Sequence, residues 1–241
     1  MTGAIINVFA VLIGGTVGLL FGARIPEKLK ETVIAGMGLF TAAMGIQMFL
    51  KTENPLIVLG SLLIGTLLGE WIRIEDGLHA FGSFLEQRFA RDTEAGASNR
   101  FLRGFLTASL LYVVGPMTIV GSINDGLSGD YNLIAVKSIL DGFASAAFAS
   151  SLGIGVLFSI IPVFVVQGGI SLAAMQLGRF MSITVAATDP RIIELTATGG
   201  VILIGLAISN LLEIKRIRVG NMLPALLAAP LIVWILGFFQ R

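Results

Sequence analysis

A helix needs about 20 mostly apolar residues to cross the hydrocarbon core of a bilayer, and this chain supplies such stretches one after another. They lie near 4–22, 32–50, 55–70, 102–123, 133–150, 153–177, 192–212 and 220–239. In lipid every backbone polar group must find its partner inside the protein, which a helix does within its own length. Only 13% of the 241 residues are charged, against about 25% in soluble domains. The chain therefore reads as all-α, a polytopic transmembrane bundle of about eight spans whose first partner is the lipid bilayer. The opening segment carries no charge before Arg24. A secretory signal would have a basic start and a shorter apolar core, so this segment reads as a first membrane helix that stays.

Charge and residue usage exclude several classes. A net charge of +1 offers no basic field for nucleic acid. With no cysteine there are no disulfides, thiolate zinc sites or cysteine nucleophiles, and the single histidine, His79, falls outside the spans. Neither a metal site nor a cofactor is predicted. HExxH and GxSxG are absent, as is an ATP-binding loop, and Asp130 and Asp141 lack the glycine-flanked context of intramembrane aspartyl proteases. No enzyme activity is expected.

Lysine and arginine collect in cytoplasmic loops. With eight spans and both termini outside, the inner loops hold Arg24, Lys28, Lys30, Arg73, Arg88, Arg91, Arg100, Arg103, Lys215, Arg216 and Arg218. The outer side holds Lys51, Arg179, Arg191 and Arg241. A seven-span arrangement gives the same totals, so charge alone leaves the fifth segment open between a crossing helix and a re-entrant one. The largest loop, 71–101, is inner in both. Its Leu78, Phe81, Leu85 and Phe89 recur at helical spacing among charged residues, which predicts an amphipathic surface helix. The polar run RDTEAGASNR then links it back to the membrane.

A weak internal repeat favours eight spans. Glu31, Gly36 and Gln47 match Glu194, Gly199 and Asn210 at one offset, flanked by Gly14-Gly15 with Gly168-Gly169 and by Arg24 with Arg179. Three-helix units over 1–70 and 153–241 would then flank the surface segment 71–101 and a central insert, 102–152. With eight spans the copies begin five helices apart and lie inverted, the plan of many secondary transporters.

The insert holds the unusual chemistry. Gly115-Pro116 breaks the fourth span, because proline lacks a donor and clashes with the carbonyl four residues back. Thr118, Ser122, Asn124 and Asp125 follow, and Lys137 and Asp141 sit four apart in the fifth span. Charges at membrane depth are costly and usually mark a pathway or site. The bland readings are a packing kink, a structural ion pair, and external loop carboxylates at Asp125 and Asp130. Gln47, Gln167 and Asn210 are secondary candidates, which as span amides more often bridge helices. The Gly14, Gly18, Gly22 ladder and the small residues of 142–151 allow close helix contact.

GPMTIVGSINDG followed by AVKSILDGFASAAFASSLGIGV, with the opening GAIINVFAVLIGGTVGLLFG, resembles the YqgA/YdfK family of bacterial inner-membrane proteins, a domain of unknown function. The resemblance runs over nearly the whole chain and implies a multi-pass inner (plasma) membrane location, but neither substrate nor mechanism. The reading that joins these features is a secondary transporter of a small solute or ion, forming a homo-oligomer in one version. An oligomeric ion channel lined by the small polar residues of 115–122, or an assembly protein without transport, are the alternatives.

Overall fold

The computed structural model describes residues 1–22, 24–89, 97–178 and 189–239. Arg91, Arg179 and Arg241 and most of the polar link after Phe89 lie outside them. Every regular element among the described residues is helical: α1 (Thr2–Gly22), α2 (Glu27–Phe49), α3 (Pro55–Ile72), α4 (Ile74–Phe89), α5 (Ala97–Val113), α6 (Pro116–Ser128), α7 (Asn132–Leu152), α8 (Ile160–Gly178), α9 (Pro190–Leu206) and α10 (Ala225–Phe239). A 3-10 turn, Ile154–Ser159, leads into α8, and a π-helical turn, Ala207–Leu211, continues α9. Seven helices are long and apolar enough to cross a membrane, or eight if the bent pair α5–α6 is one span.

Local chemistry sets several ends. Pro55 and Pro190 open α3 and α9, where a missing N–H costs nothing. Each follows a capping side chain: Asn54 Oδ1 accepts from Leu56 N at 3.1 Å, and Asp189 Oδ1 from Arg191 N at 2.8 Å. Hydrogen bonds from the Arg191 side chain hold the Asp189 carboxyl below its ordinary range. The fourth span bends by 60° between its halves, at the Gly115-Pro116 pair. Asn124 and Asp125 fall inside α6, so Asp125 is not an external loop carboxylate. Asp130 does lie in the turn before α7, where it accepts from Asn132 N.

Contacts divide the chain into two compact units. The first comprises Met1–Gly36, His79–Val113 and Met117–Val185. Its centre is α1 lying parallel to α7, with Gly3 facing Ile134, Gly14 facing Gly142, Gly18 facing Ala146 and Gly22 facing Ser150. The backbones are so close that a Cβ on Gly14 or Gly18 would fall 2.0 or 2.2 Å from a carbonyl oxygen of α7. α5 runs antiparallel to α7, with Gly104 beside Leu152 and Tyr112 beside Ser145. α8 and its leading turn run antiparallel to α1, with Leu157 beside Gly15 and Gly168 beside Met1. The predicted amphipathic helix is α4. Its Phe81 stacks edge-on to Phe105, and its Phe89 lies with Phe101 around Phe158.

The second unit comprises Met37–Leu78, Val114–Pro116 and Ala186–Arg241. Here α3 runs antiparallel to α10 and its leading turn, with Gly65 against Ala225 and Gly69 against Asn221. The second half of α2 runs antiparallel to α9, with Gly38 near Leu212 and Gly45 against Gly200. The α9 span is the most enclosed of the candidate spans. Large apolar side chains left exposed elsewhere, such as Leu67, Phe143 and Phe238, are the lipid-facing surface that a membrane bundle requires.

Adding a methyl group where two backbones touch overpacks the contact, at about 1–3 kcal/mol. Gly18→Ala and Gly69→Ala should therefore each lower the melting temperature in detergent, whereas Gly36→Ala, with open space at its Cβ position, should be neutral or stabilising. Equal responses at all three positions would contradict this packing.

Candidate functional site

Lys137 and Asp141 are four residues apart on α7, so they share one face and can reach each other. Asp141 is the tenth of 21 residues in that helix, about 14 Å from its start at 1.5 Å per residue. That places the carboxylate near the middle of a candidate span. Lys137 Nζ donates to Asp141 Oδ2, and both residues are 7% exposed.

The neighbouring helices add groups around this pair. From α1, Asn7 Nδ2 donates to the same Asp141 Oδ2 at 2.9 Å. From the end of α5, the Tyr112 ring centre lies 5.8 Å from Lys137 Nζ, within reach of a cation–π contact. The Tyr112 hydroxyl bonds Ser145 Oγ, on α7, at 2.7 Å. The broken span supports this placement. Pro116 cannot donate to the carbonyl four residues back, which belongs to Tyr112. The Thr118 hydroxyl donates to that carbonyl at 2.9 Å instead. The break thus ends α5 at the tyrosine beside the ion pair and keeps the Tyr112 carbonyl bonded.

A second carboxylate lies nearer the start of α1. Asp125 Oδ2, 4% exposed, accepts from Gly3 N at 3.2 Å and Ser171 Oγ at 3.3 Å, and lies 2.9 Å from the Met1 amino group. Ser122 stands one turn before Asp125 on α6, and Gln167 one turn before Ser171 on α8, so each shares a helix face with the residue that precedes it here. Ser122, Gln167 and Asn7 are fully buried. Among the described residues, Ser122 Oγ, Asn7 Oδ1 and both polar atoms of Gln167 have no partner. On α5, Thr107 Oγ1 and Ser109 Oγ are in the same condition. The second unit holds two more such atoms, Thr198 Oγ1 and Asn221 Nδ2. An unsatisfied buried polar group costs about 1–3 kcal/mol, so the larger group in the first unit calls for an explanation.

The second unit handles its central carboxylate differently. Glu194, 2% exposed, accepts from Thr52 Oγ1 at 2.6 Å and from the backbone N–H groups of Glu53 and Asn54 at 2.9 Å each. Such a satisfied carboxylate clamps the turn between α2 and α3 to α9. It is a structural lock.

Of the residues singled out in the sequence, Thr118, Lys137 and Asp141 gather around Tyr112, and Ser122 and Asp125 line the same unit. Gly115 and Pro116 form the bend. Asn124 is half-buried, and its carbonyl accepts from Ser128 Oγ. Gln167 belongs to the same unit, on α8. Gln47 is exposed on α2, and Asn210 is half-buried in the π-helical turn after α9; both lie in the second unit. Three contributors were not anticipated: Asn7, Tyr112 and Ser171. Asn7 had a legible signal, as a lone amide in an otherwise apolar first helix.

Residues 2–234 match the family described as "Protein of unknown function (DUF554)". The chain belongs to this family. It is 32% identical over 229 residues to the "Uncharacterized protein YqgA" of Escherichia coli (strain K12), covering 94% of both chains. It is 28% identical over 243 residues to the "Uncharacterized membrane protein YdfK" of Bacillus subtilis (strain 168), covering 99% of this chain and 98% of that one. No solved structure matches it.

Breaking a buried ion pair from one side leaves an uncompensated charge, at about 3–5 kcal/mol, whereas replacing both partners with apolar groups is often neutral or stabilising. Asp141→Leu should therefore melt well below the parent protein, and the double variant Lys137→Met/Asp141→Leu should recover most of that loss. Additive losses in thermal melts would contradict the pairing.

Proposed function

We propose that this membrane protein is a secondary transporter of a small solute or ion, with its site in the first unit around Asp141, Lys137 and Asn7. The observation that carries the reading is the contrast between the two buried carboxylates. Glu194 accepts three hydrogen bonds from the turn between α2 and α3, while Asp141 is held by one ammonium and by an amide whose own oxygen lacks a partner among the described residues. Asp125, Ser122 and Gln167 would line the approach from the start of α1. Gly115 and Pro116 shape the break, with Asn124 at its far end.

Helix order supports eight spans. Parallel helices in a bundle are separated by an odd number of crossings. α2 and α3 supply two crossings between α1 and α7, and α4, at 16 residues, is too short to span. The bent α5–α6 pair then supplies the third. The pairing of helices also supports an inverted repeat of 1–70 and 153–241. Its counterparts α1 and α8, α2 and α9, and α3 and α10 each lie antiparallel and in contact, as copies related by an axis in the membrane plane would. Single residues carry less of this argument, since Glu31 is exposed where its match Glu194 is buried. Both termini outside, an inner-membrane address and homo-oligomers complete the proposal. The amphipathic α4 lies on the cytoplasmic face.

The test uses proteoliposomes on a solid support, with currents recorded against inward gradients of cations and metabolite mixtures. The Lys137→Met/Asp141→Leu protein, folded by its melting curve, should lose any saturable current that the parent carries. Normal current in that variant would remove the site. Unitary current steps in single-channel recording would replace the carrier with a channel.

A further inference from the structure

A salt bridge serving only to hold helices together would leave the groups around it satisfied. Here Asn7 gives its amide nitrogen to Asp141, while the oxygen of the same amide is buried without a partner among the described residues. An unpaired oxygen donor thus sits within one amide group of a mid-span carboxylate. The carboxylate carries one negative charge, and Lys137 supplies one positive charge to it.

We infer that Asp141 and Asn7 form a binding site for a small monovalent metal cation, and that the Lys137 ammonium is its tethered resting occupant. The inference rests on the reading of this pair as a working site. Carboxylate and amide oxygens are the hard ligands that such ions take. A lysine ammonium is a compact point charge on a flexible four-carbon stem, so it can leave Asp141 without any helix moving. The Tyr112 ring, 5.8 Å from Nζ, offers the displaced ammonium an electrostatically favourable face. Exchange of one positive charge for another keeps the Asp141 carboxylate compensated, and the displaced ammonium is then stabilised only by the Tyr112 ring face. Among the described residues of the helices packed on α7, α1 carries no charged side chain and α5 brings Tyr112 to the pair, while α6, which meets α7 at Gly121, carries Asp125.

The probe is sodium chloride, replaced stepwise by N-methyl-D-glucamine chloride at constant ionic strength, with the full-length protein in detergent. Lys137→Gln removes the tethered competitor. Its melting temperature should rise saturably with sodium, and this rise should be smaller in Lys137→Gln/Asn7→Ala and absent in Lys137→Gln/Asp141→Asn. If the lysine variant does not fold, the parent protein still decides the matter. Acylation of Lys137 by a membrane-permeant amine reagent, read by peptide mass spectrometry, should increase in sodium as the ammonium is displaced. Labelling unchanged by sodium, or a Lys137→Gln melting curve indifferent to the cation, overturns the inference. Saturable flux in liposomes with neither sodium effect would leave the transporter standing without this site. Both sodium effects in a protein that carries no flux would leave the site standing and remove the transporter.

Discussion

A carboxylate halfway along a membrane helix requires a positive charge beside it, and much of the first unit is arranged around that requirement. Lys137 meets it from the same helix, one turn away. The close approach of α1, made possible by glycines at positions 3, 14, 18 and 22, brings Asn7 to the same oxygen. The break in the fourth span ends α5 at Tyr112, beside the ammonium and bonded to Ser145. A bulkier contact between α1 and α7 would separate the amide from the carboxylate. A continuous fourth span would keep the Tyr112 carbonyl inside a helix instead of on the Thr118 hydroxyl.

The two units use buried acids in opposite ways. Glu194 has every donor fixed by the turn at Thr52–Asn54, so its charge is spent on shape. Asp141 relies on one ammonium and one half-used amide. Polar groups at membrane depth that are fully paired stiffen a bundle, whereas partly paired ones can exchange partners. Asp125, held by Gly3 N one turn of α1 from Asn7 and by Ser171, lies between these cases.

Much of this was legible in the sequence. The number of apolar segments, the amphipathic α4 and the break at Gly115-Pro116 follow from length, spacing and proline chemistry. The i,i+4 spacing of Lys137 and Asp141 also gave their pairing. What lay hidden was long-range. Nothing local says that Asn7 reaches across 134 positions to Asp141, or that Thr118 serves the carbonyl that Pro116 leaves. Glu194 read as one member of a repeat, because a satisfied carboxylate and a working one look alike as a single letter. Asp125 read equally as a loop residue, since the end of α6 could not be fixed without its contacts to α1 and α8.

The central claim is that the polar groups between Asp125 and Asp141 line a wet, working path and not a dry seam. The chain contains no cysteine, so a single Ser122→Cys provides a clean reporter there, with Ala197→Cys in the buried core of α9 as control. Methanethiosulfonates react with the thiolate, which forms where water reaches the thiol. The account predicts that a membrane-impermeant methanethiosulfonate modifies Cys at 122 in intact membranes and leaves the residue at 197 untouched. Equal inertness at both positions, in folded protein, would contradict it.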